Sequence, residues 1–354
     1  MGPDFDHFRE VILRRTAGGR VPLFEFGVHV NHMDAARQHF GGLEPLGKEG
    51  WADPERRRRG ILEFWTVAGY DYVRPALGFG FTRQRSAILG KDAFDDSDRE
   101  WANEADGDIL DWASLEAYPW PRADQLDFTE LDWFAAHRPA GAGLVLAGGG
   151  GPFEWATQLM GLTHYCMALY QEAALVRELH RRVDEVITGA LAAALARQRI
   201  DAFILGDDMG FRTSTLVPPD ALRELVLPCH RRLAAMVHAQ GGLYLLHCCG
   251  QIGAVMDDLI DSVKIDAKHS YEDAITPVWE AKRRWGGRVG ILGGVDMDVM
   301  ARAEEPVCRA RVRDVLAQCS PGGGYALGTG NTVANYVRRE NYLALIEEGR
   351  AWGR

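Results

Sequence analysis

Short apolar runs alternate with longer stretches of helical periodicity along most of the chain. Eight runs occupy residues 21–26, 70–74, 143–147, 201–205, 242–246, 262–265, 288–292 and 324–327. Each is four to six residues long, the length of a buried strand rather than of a helix. Between them, the patterns over residues 54–67, 168–197, 219–239, 275–285, 304–318 and 338–350 predict helices. Local punctuation agrees, since Pro218-Pro219 opens one helix and Gly286-Gly287 closes another.

Strand–helix alternation repeated eight times predicts an α/β fold, a (β/α)8 TIM barrel. A doubly wound sheet is the alternative, but no Gly-x-Gly-x-x-Gly follows the first run, and the glycines at 148–151 come only after the third. With no internal repeat and no linker-like segment, a single domain over residues 1–354 is expected. Residues 76–135 interrupt the alternation after the second strand. This insertion is acidic and carries Trp101, Trp112, Trp120 and Trp133. Loops that follow barrel strands lie on the active-site face, so the insertion reads either as a lid or as a solvated flap anchored by aromatics.

Composition and charge narrow the class. The net charge of −10 is carried by residues 91–132, which hold fourteen acidic residues against Lys91, Arg99 and Arg122. The rest of the chain is near neutral, which argues against nucleic-acid binding. No apolar run is long enough to cross a bilayer, and the first residues lack a basic start and an apolar signal core. Six cysteines, two of them adjacent, read as free thiols. A cytoplasmic protein is expected.

Candidate chemistry gathers where the runs end. The fifth ends in His247-Cys248-Cys249-Gly250; alternation along a strand puts His247 and Cys249 on one side and Cys248 on the other. Imidazole and thiolate side by side make half of a zinc site or the start of a nucleophile–base pair. Polar residues also mark the ends of other runs: the first ends near Glu25 and is followed by His29, Asn31 and His32, and the fourth is followed by Asp207 and Asp208. Lys268 and His269 follow the sixth, Asp296 the seventh, and Thr329 and Asn331 the eighth. Any one could be a helix cap or a turn residue. Polar groups at six strand ends together point to an enzyme.

The motifs Gly206-Asp-Asp208, Leu225-Val-Leu-Pro228, His247-Cys-Cys-Gly250, Asp257-Asp-Leu259, Gly293-Gly-Val-Asp296 and Gly322-Gly-Gly-Tyr-Ala-Leu-Gly328, with Gly151-Pro-Phe-Glu-Trp155 upstream, resemble the uroporphyrinogen decarboxylase superfamily. That superfamily includes cobamide-dependent methyltransferases. The resemblance implies a (β/α)8 barrel with its site at the carboxyl ends of the strands. True decarboxylases hold their polyanionic substrate with an arginine-rich loop after the first strand, where this chain has Phe24-Glu-Phe-Gly-Val-His29. Glu25 and the acidic insertion would repel such a substrate.

The methyltransferase branch binds zinc through a His-x-Cys pair and a later cysteine, which implies His247 and Cys249 as metal ligands. The third ligand is altered, because Asn331 stands where the family has cysteine, and Cys319 falls towards the other end of the barrel. Glu25, Asp207, Asp208 and His29 are the replacements considered.

The expected function is methyl transfer between a corrinoid, carried by a partner protein, and a thiol or methylated small molecule. Glu25, Asp208 and His269 are the candidate catalytic groups, and His29, Asp207, Arg212 and Asn331 the candidate substrate contacts. A homodimer is compatible with the resemblance. One alternative is a metal-free decarboxylase of another cyclic or aromatic acid, with Glu25 or His269 as proton donor and Arg74 and Arg212 as anion clamps. The other is a corrinoid- or tetrapyrrole-binding protein without catalysis.

Overall fold

The computed structural model describes residues 2–83, 87–91, 98–102 and 106–353. Its strands are β1 (Tyr72–Val73), β2 (Ala76–Leu77), β3 (Ala87–Lys91), β4 (Asp98–Ala102) and β5 (Gly143–Gly148), then β6 (Ala202–Gly206), β7 (Leu243–His247), β8 (Ala267–His269), β9 (Gly290–Leu292) and β10 (Tyr325–Ala326). All but β3 and β4 join one curled parallel sheet in the order β1-β5-β6-β7-β8-β9-β10, with β2 also on β5. The fold is α/β with an eight-stranded curled sheet.

β1 and β2 are two halves of one strand. Tyr72 pairs with Gly143 and Leu77 with Gly148, so the register is unbroken across Arg74 and Pro75. Proline has no N–H for the ladder and interrupts it there. β6 and β7 are buried throughout, as strands covered on both faces must be. The first predicted run lies beside β10 but makes only isolated parallel bridges, Leu23 to Leu327 and Val28 to Val333. On its other side the Glu25 N–H donates to the Tyr72 hydroxyl at 3.0 Å.

Most predicted helices form within a residue or two, such as Pro54–Ala68, Glu305–Cys319 and Arg339–Ala351. Three expectations need correction. The predicted helix over 168–197 is two helices, Leu162–Gln171 and Ala173–Arg197, broken at Glu172. Residues 219–239 are helical, but Leu222–Val226 form a π turn in which the Leu227 N–H bonds the Leu222 carbonyl. Pro228, one residue further on, supplies no N–H, and the widened turn accommodates it.

The sixth strand is not residues 262–265. Leu259–Val263 form a second π turn, closed by Lys264 in the left-handed conformation (φ 65°), and the strand begins at Ala267.

The insertion is also more structured than a flap. β3 and β4 pair antiparallel. Residues 106–135 carry the helices Trp112–Ala117 and Thr129–His137 and bury Ile109, Leu115, Tyr118, Phe128, Leu131 and Phe134 in the core. Trp120 and Trp133 pack against that core, while Trp112 is half exposed. The lid expectation for residues 84–86, 92–97 and 103–105 lies outside the described residues. All six cysteines are unpaired, and no helix among the described residues is long and apolar enough to cross a membrane.

Candidate metal centre

Strand register brings the site together. Gly206 pairs with His247, and His247 with His269, so the ends of β6, β7 and β8 lie in line. The next residues, Asp207-Asp208, Cys248-Cys249 and Ser270, therefore leave the sheet side by side. Cys248 turns away, its sulfur accepting the Met209 N–H at 3.4 Å. Cys249 turns back, with Sγ 3.4 Å from His247 Nε2.

Asp208 completes a cluster with them. Its Oδ1 accepts the Cys249 N–H at 2.7 Å and lies 3.7 Å from His247 Nε2. The ligand atoms of Asp208, His247 and Cys249 all fall within 4.8 Å of one another. Tetrahedral zinc, with bonds of roughly 2.0–2.3 Å, holds its ligand atoms roughly 3.3–3.7 Å apart. The donor set fits.

Hydrogen bonds fix which nitrogen of His247 faces that cluster. His269 Nε2 lies 3.0 Å from the Thr329 carbonyl, which can only accept, so Nε2 carries the proton and Nδ1 is bare. His247 Nδ1 lies 2.8 Å from that bare nitrogen and must donate to it. The lone pair of His247 is thereby left on Nε2, pointed at Cys249 and Asp208. Phe26 stacks on the same imidazole, with centroids 3.9 Å apart and planes 9° from parallel. Burial, then the charges of His269, Lys268 and Arg74, hold His247 neutral well below the ordinary histidine range, and burial pushes His269 down to about 3. Neutral imidazole is the ligand form.

Asn331, where the resemblance implies a third cysteine, is not placed to be a ligand. Its Oδ1 accepts the Thr332 N–H at 2.7 Å, which turns Nδ2 towards Cys249 Sγ at 3.2 Å. An amide nitrogen donates and has no lone pair to give. Burial, reinforced by Asp208, pushes the Cys249 thiol up to about 12. A coordinated divalent cation reverses that preference, because a ligating thiol is deprotonated.

The other candidates separate by burial. Asp207 is wholly enclosed, accepting from the N–H groups of Phe153 and Glu154 at 3.2 and 2.8 Å and from His230 Nε2 at 2.8 Å. It clamps the start of the helix Pro152–Met160. Glu25 is equally enclosed. Its Oε1 accepts the Thr329 N–H at 3.0 Å and its Oε2 lies 2.6 Å from Thr329 Oγ1, while burial pushes its carboxyl up to about 8. His269 is enclosed too, behind His247. His29 caps the helix Val30–Gly41, with Nδ1 accepting the Asn31 N–H at 3.4 Å. Arg212 is exposed in the loop between Gly210 and Thr215.

Three residues escaped the sequence reading. Glu154 is partly buried beside Asp207 and Asp208, and burial plus those two charges pushes it up to about 8. Phe26 and Ser270 were also missed; the Ser270 hydroxyl lies 3.9 Å from Cys249 Sγ. Glu154 lies inside the Gly151–Trp155 motif, the one signal that could have found it.

Residues 137–352, more than half of the chain, match the family model described as uroporphyrinogen decarboxylase (URO-D). Over 135 residues the chain is 29% identical to the methylated-thiol–coenzyme M methyltransferase of Methanosarcina mazei, covering 38% of this chain and 34% of that protein. The chain thus matches about a third of the length of this curated relative. A methyltransferase structure from Methanosarcina mazei aligns with TM-score 0.73 at 16% identity, over 99% of this chain and 100% of that one. A structure described as a vitamin-B12-independent methionine synthase from Listeria monocytogenes gives TM-score 0.50 at 14% identity, over 96% and 98%. At these identities the likeness of the two structures is one of fold.

Proposed function

We propose that this chain, which belongs to the uroporphyrinogen decarboxylase family, is a methyltransferase that acts on a small thiol or methylated compound. In this reading residues 1–354 form one closed (β/α)8 barrel, and a corrinoid on a partner protein is the other methyl carrier. The carrying observation is the convergence of His247 Nε2, Cys249 Sγ and an Asp208 oxygen at the strand ends. The name of the partial relative, a methyltransferase of methylated thiols, supports the substrate class.

His247, Cys249 and Asp208 would hold a divalent ion, zinc by the softness of the sulfur ligand. Such an ion lowers the pKa of a substrate thiol into the neutral range. The chain's own groups do the rest. His269 and the Thr329 carbonyl keep the His247 lone pair on Nε2, and Phe26 holds the ring against rotation. Asn331 Nδ2 donates to Cys249 sulfur and favours its thiolate. Glu154, whose carboxyl is pushed up to about 8 by burial and the charges of Asp207 and Asp208, stands beside the proposed ligand Asp208.

The decarboxylase alternative needs a proton donor in contact with substrate. Glu25 and His269, its two candidates, are fully enclosed, so no observation favours it.

The test is transfer of a methyl group from methylcobalamin to a small thiol by zinc-loaded protein. His247→Ala and Cys249→Ala are expected to lower the rate at least ~100-fold. His269→Phe, which removes the acceptor from His247 Nδ1, is expected to weaken zinc binding roughly 10- to 100-fold with the melting temperature little changed. Wild-type rates in His247→Ala and Cys249→Ala would sink the assignment.

A further inference from the structure

Lys268 lies in β8 and is only 4% exposed, whereas Lys48 and Lys264 are exposed and Lys282 is partly so. A buried ammonium is costly unless its surroundings are built for one. Here they are: Nζ donates to the Ser270 carbonyl and sits 4.3 Å over the Tyr271 ring, two contacts that suit a cation. Alternation along β8 turns Lys268 away from the side on which His269 meets His247. The cleft it lines with Gly250, Ser270 and Glu272 encloses about 20 Å³, room for one water and not for a substrate. Its part is played through charge.

That charge reaches the candidate metal ligands. Nζ is held at the Ser270 carbonyl, and the Ser270 hydroxyl lies 3.9 Å from Cys249 Sγ. From there the ammonium favours the ionised forms of Cys249 and Asp208, which burial disfavours. Arg74 is the other cation to reach the centre, by way of Phe26 and His247. The remaining charged groups are acidic: Glu154 and Asp207 act with Asp208, and Glu272 faces Lys268.

Ionised Asp208 and Cys249 cancel the charge of a divalent ion, so an anionic ligand added to the centre leaves one negative charge among carboxylates. Lys268 offsets it. We infer that Lys268 is a positioning residue of the metal centre, whose fixed ammonium lets an anionic sulfur rather than a neutral ligand take the exchangeable place beside His247, Cys249 and Asp208. The inference rests on the methyl-transfer reading, which supplies the ion. Loading the ion has the opposite sign. It brings two positive charges and expels one proton from Cys249, so the ammonium opposes it.

The experiment is titration of cobalt(II)-loaded protein with thiocyanate and with imidazole, followed by the visible absorption of the bound cobalt. Both are small ligands for the ion, and they differ in charge. In Lys268→Met, and in Lys268→Gln, which can still donate to the Ser270 carbonyl, thiocyanate is expected to bind about tenfold or more weaker, the effect of one nearby unit charge. Imidazole affinity is expected to hold, and cobalt affinity to hold or rise. Lys268→Arg keeps the charge and is expected to keep thiocyanate binding. Lys48→Met, on the surface, is expected to change neither ligand.

Unchanged thiocyanate affinity in either folded variant, Lys268→Met or Lys268→Gln, overturns the inference and leaves the metal reading standing. A parallel loss of thiocyanate, imidazole and cobalt, the mark of a purely structural lysine, overturns it too. Wild type that takes up no cobalt removes the metal reading and the inference with it.

Discussion

Thr329 joins two halves of the centre. Its carbonyl takes the His269 proton that sets the His247 tautomer, and its N–H and hydroxyl face Glu25. The hydroxyl lies 2.6 Å from Glu25 Oε2 and 2.5 Å from the Asn331 carbonyl, and its one hydrogen can serve only one of them. A protonated Glu25 satisfies both by donating to Thr329 Oγ1, which then donates to Asn331. The raised Glu25 carboxyl, at about 8 against 4.5 unperturbed, agrees with that arrangement.

The stability consequence has a definite sign. Below about 4.5 Glu25 is protonated in both the folded and the unfolded chain, so nothing is lost. Between about 4.5 and 8 the unfolded chain ionises and the folded one does not, so stability falls as pH rises and levels off above. The full loss is on the order of 5 kcal/mol. Glu25→Gln imitates the protonated form and removes this dependence. Urea unfolding from pH 5 to 9 is expected to show wild type losing stability relative to Glu25→Gln; a constant difference would refute the protonated carboxyl.

The loops after β6 and β7 are held together by two glycines. A Cβ on Gly210 would lie 2.5 Å from the Cys249 carbonyl oxygen, and one on Gly250 (φ +77°) would run into the Gly210 backbone. Phe211 and Gln251 bridge just beyond. This contact sets Asp208 against Cys249, so Gly250→Ala is expected to lower stability by ~1–3 kcal/mol and to weaken zinc binding. Unchanged zinc affinity in a folded variant would show that the loop contact does not position the ligands.

At this scale the sequence was only partly legible. The alternation that put His247 and Cys249 on one side is local, and the structure has it. The short run at 262–265 had the look of a strand but ends a π turn, because four apolar residues carry no periodicity that separates the two. The break at Glu172 and the interruption at Pro75 left the long-range pattern intact, so periodicity could not find the first, nor strand length the second.

On the scale of the whole molecule, the order of the strands was legible because each run is short and apolar and most are followed by a helix. Where their ends converge was not. Asp207 and Asp208 are neighbours in the chain, yet one is sealed beneath a helix and the other faces Cys249. That difference arises from His230 and the residues 153–154, which no spacing connects to them. The place of Asn331 was legible from its motif, but its role was not: the Thr332 N–H turns its amide and makes it a donor to sulfur.

The central claim is that Asp208, His247 and Cys249 together hold one divalent ion. Zinc content after equilibrium dialysis, by plasma mass spectrometry on wild type, Asp208→Ala and Cys249→Ala, tests it directly. About one zinc per chain in wild type, falling sharply in both variants, is the predicted result. Wild type without stoichiometric zinc, or zinc retained in full by both variants, would contradict it.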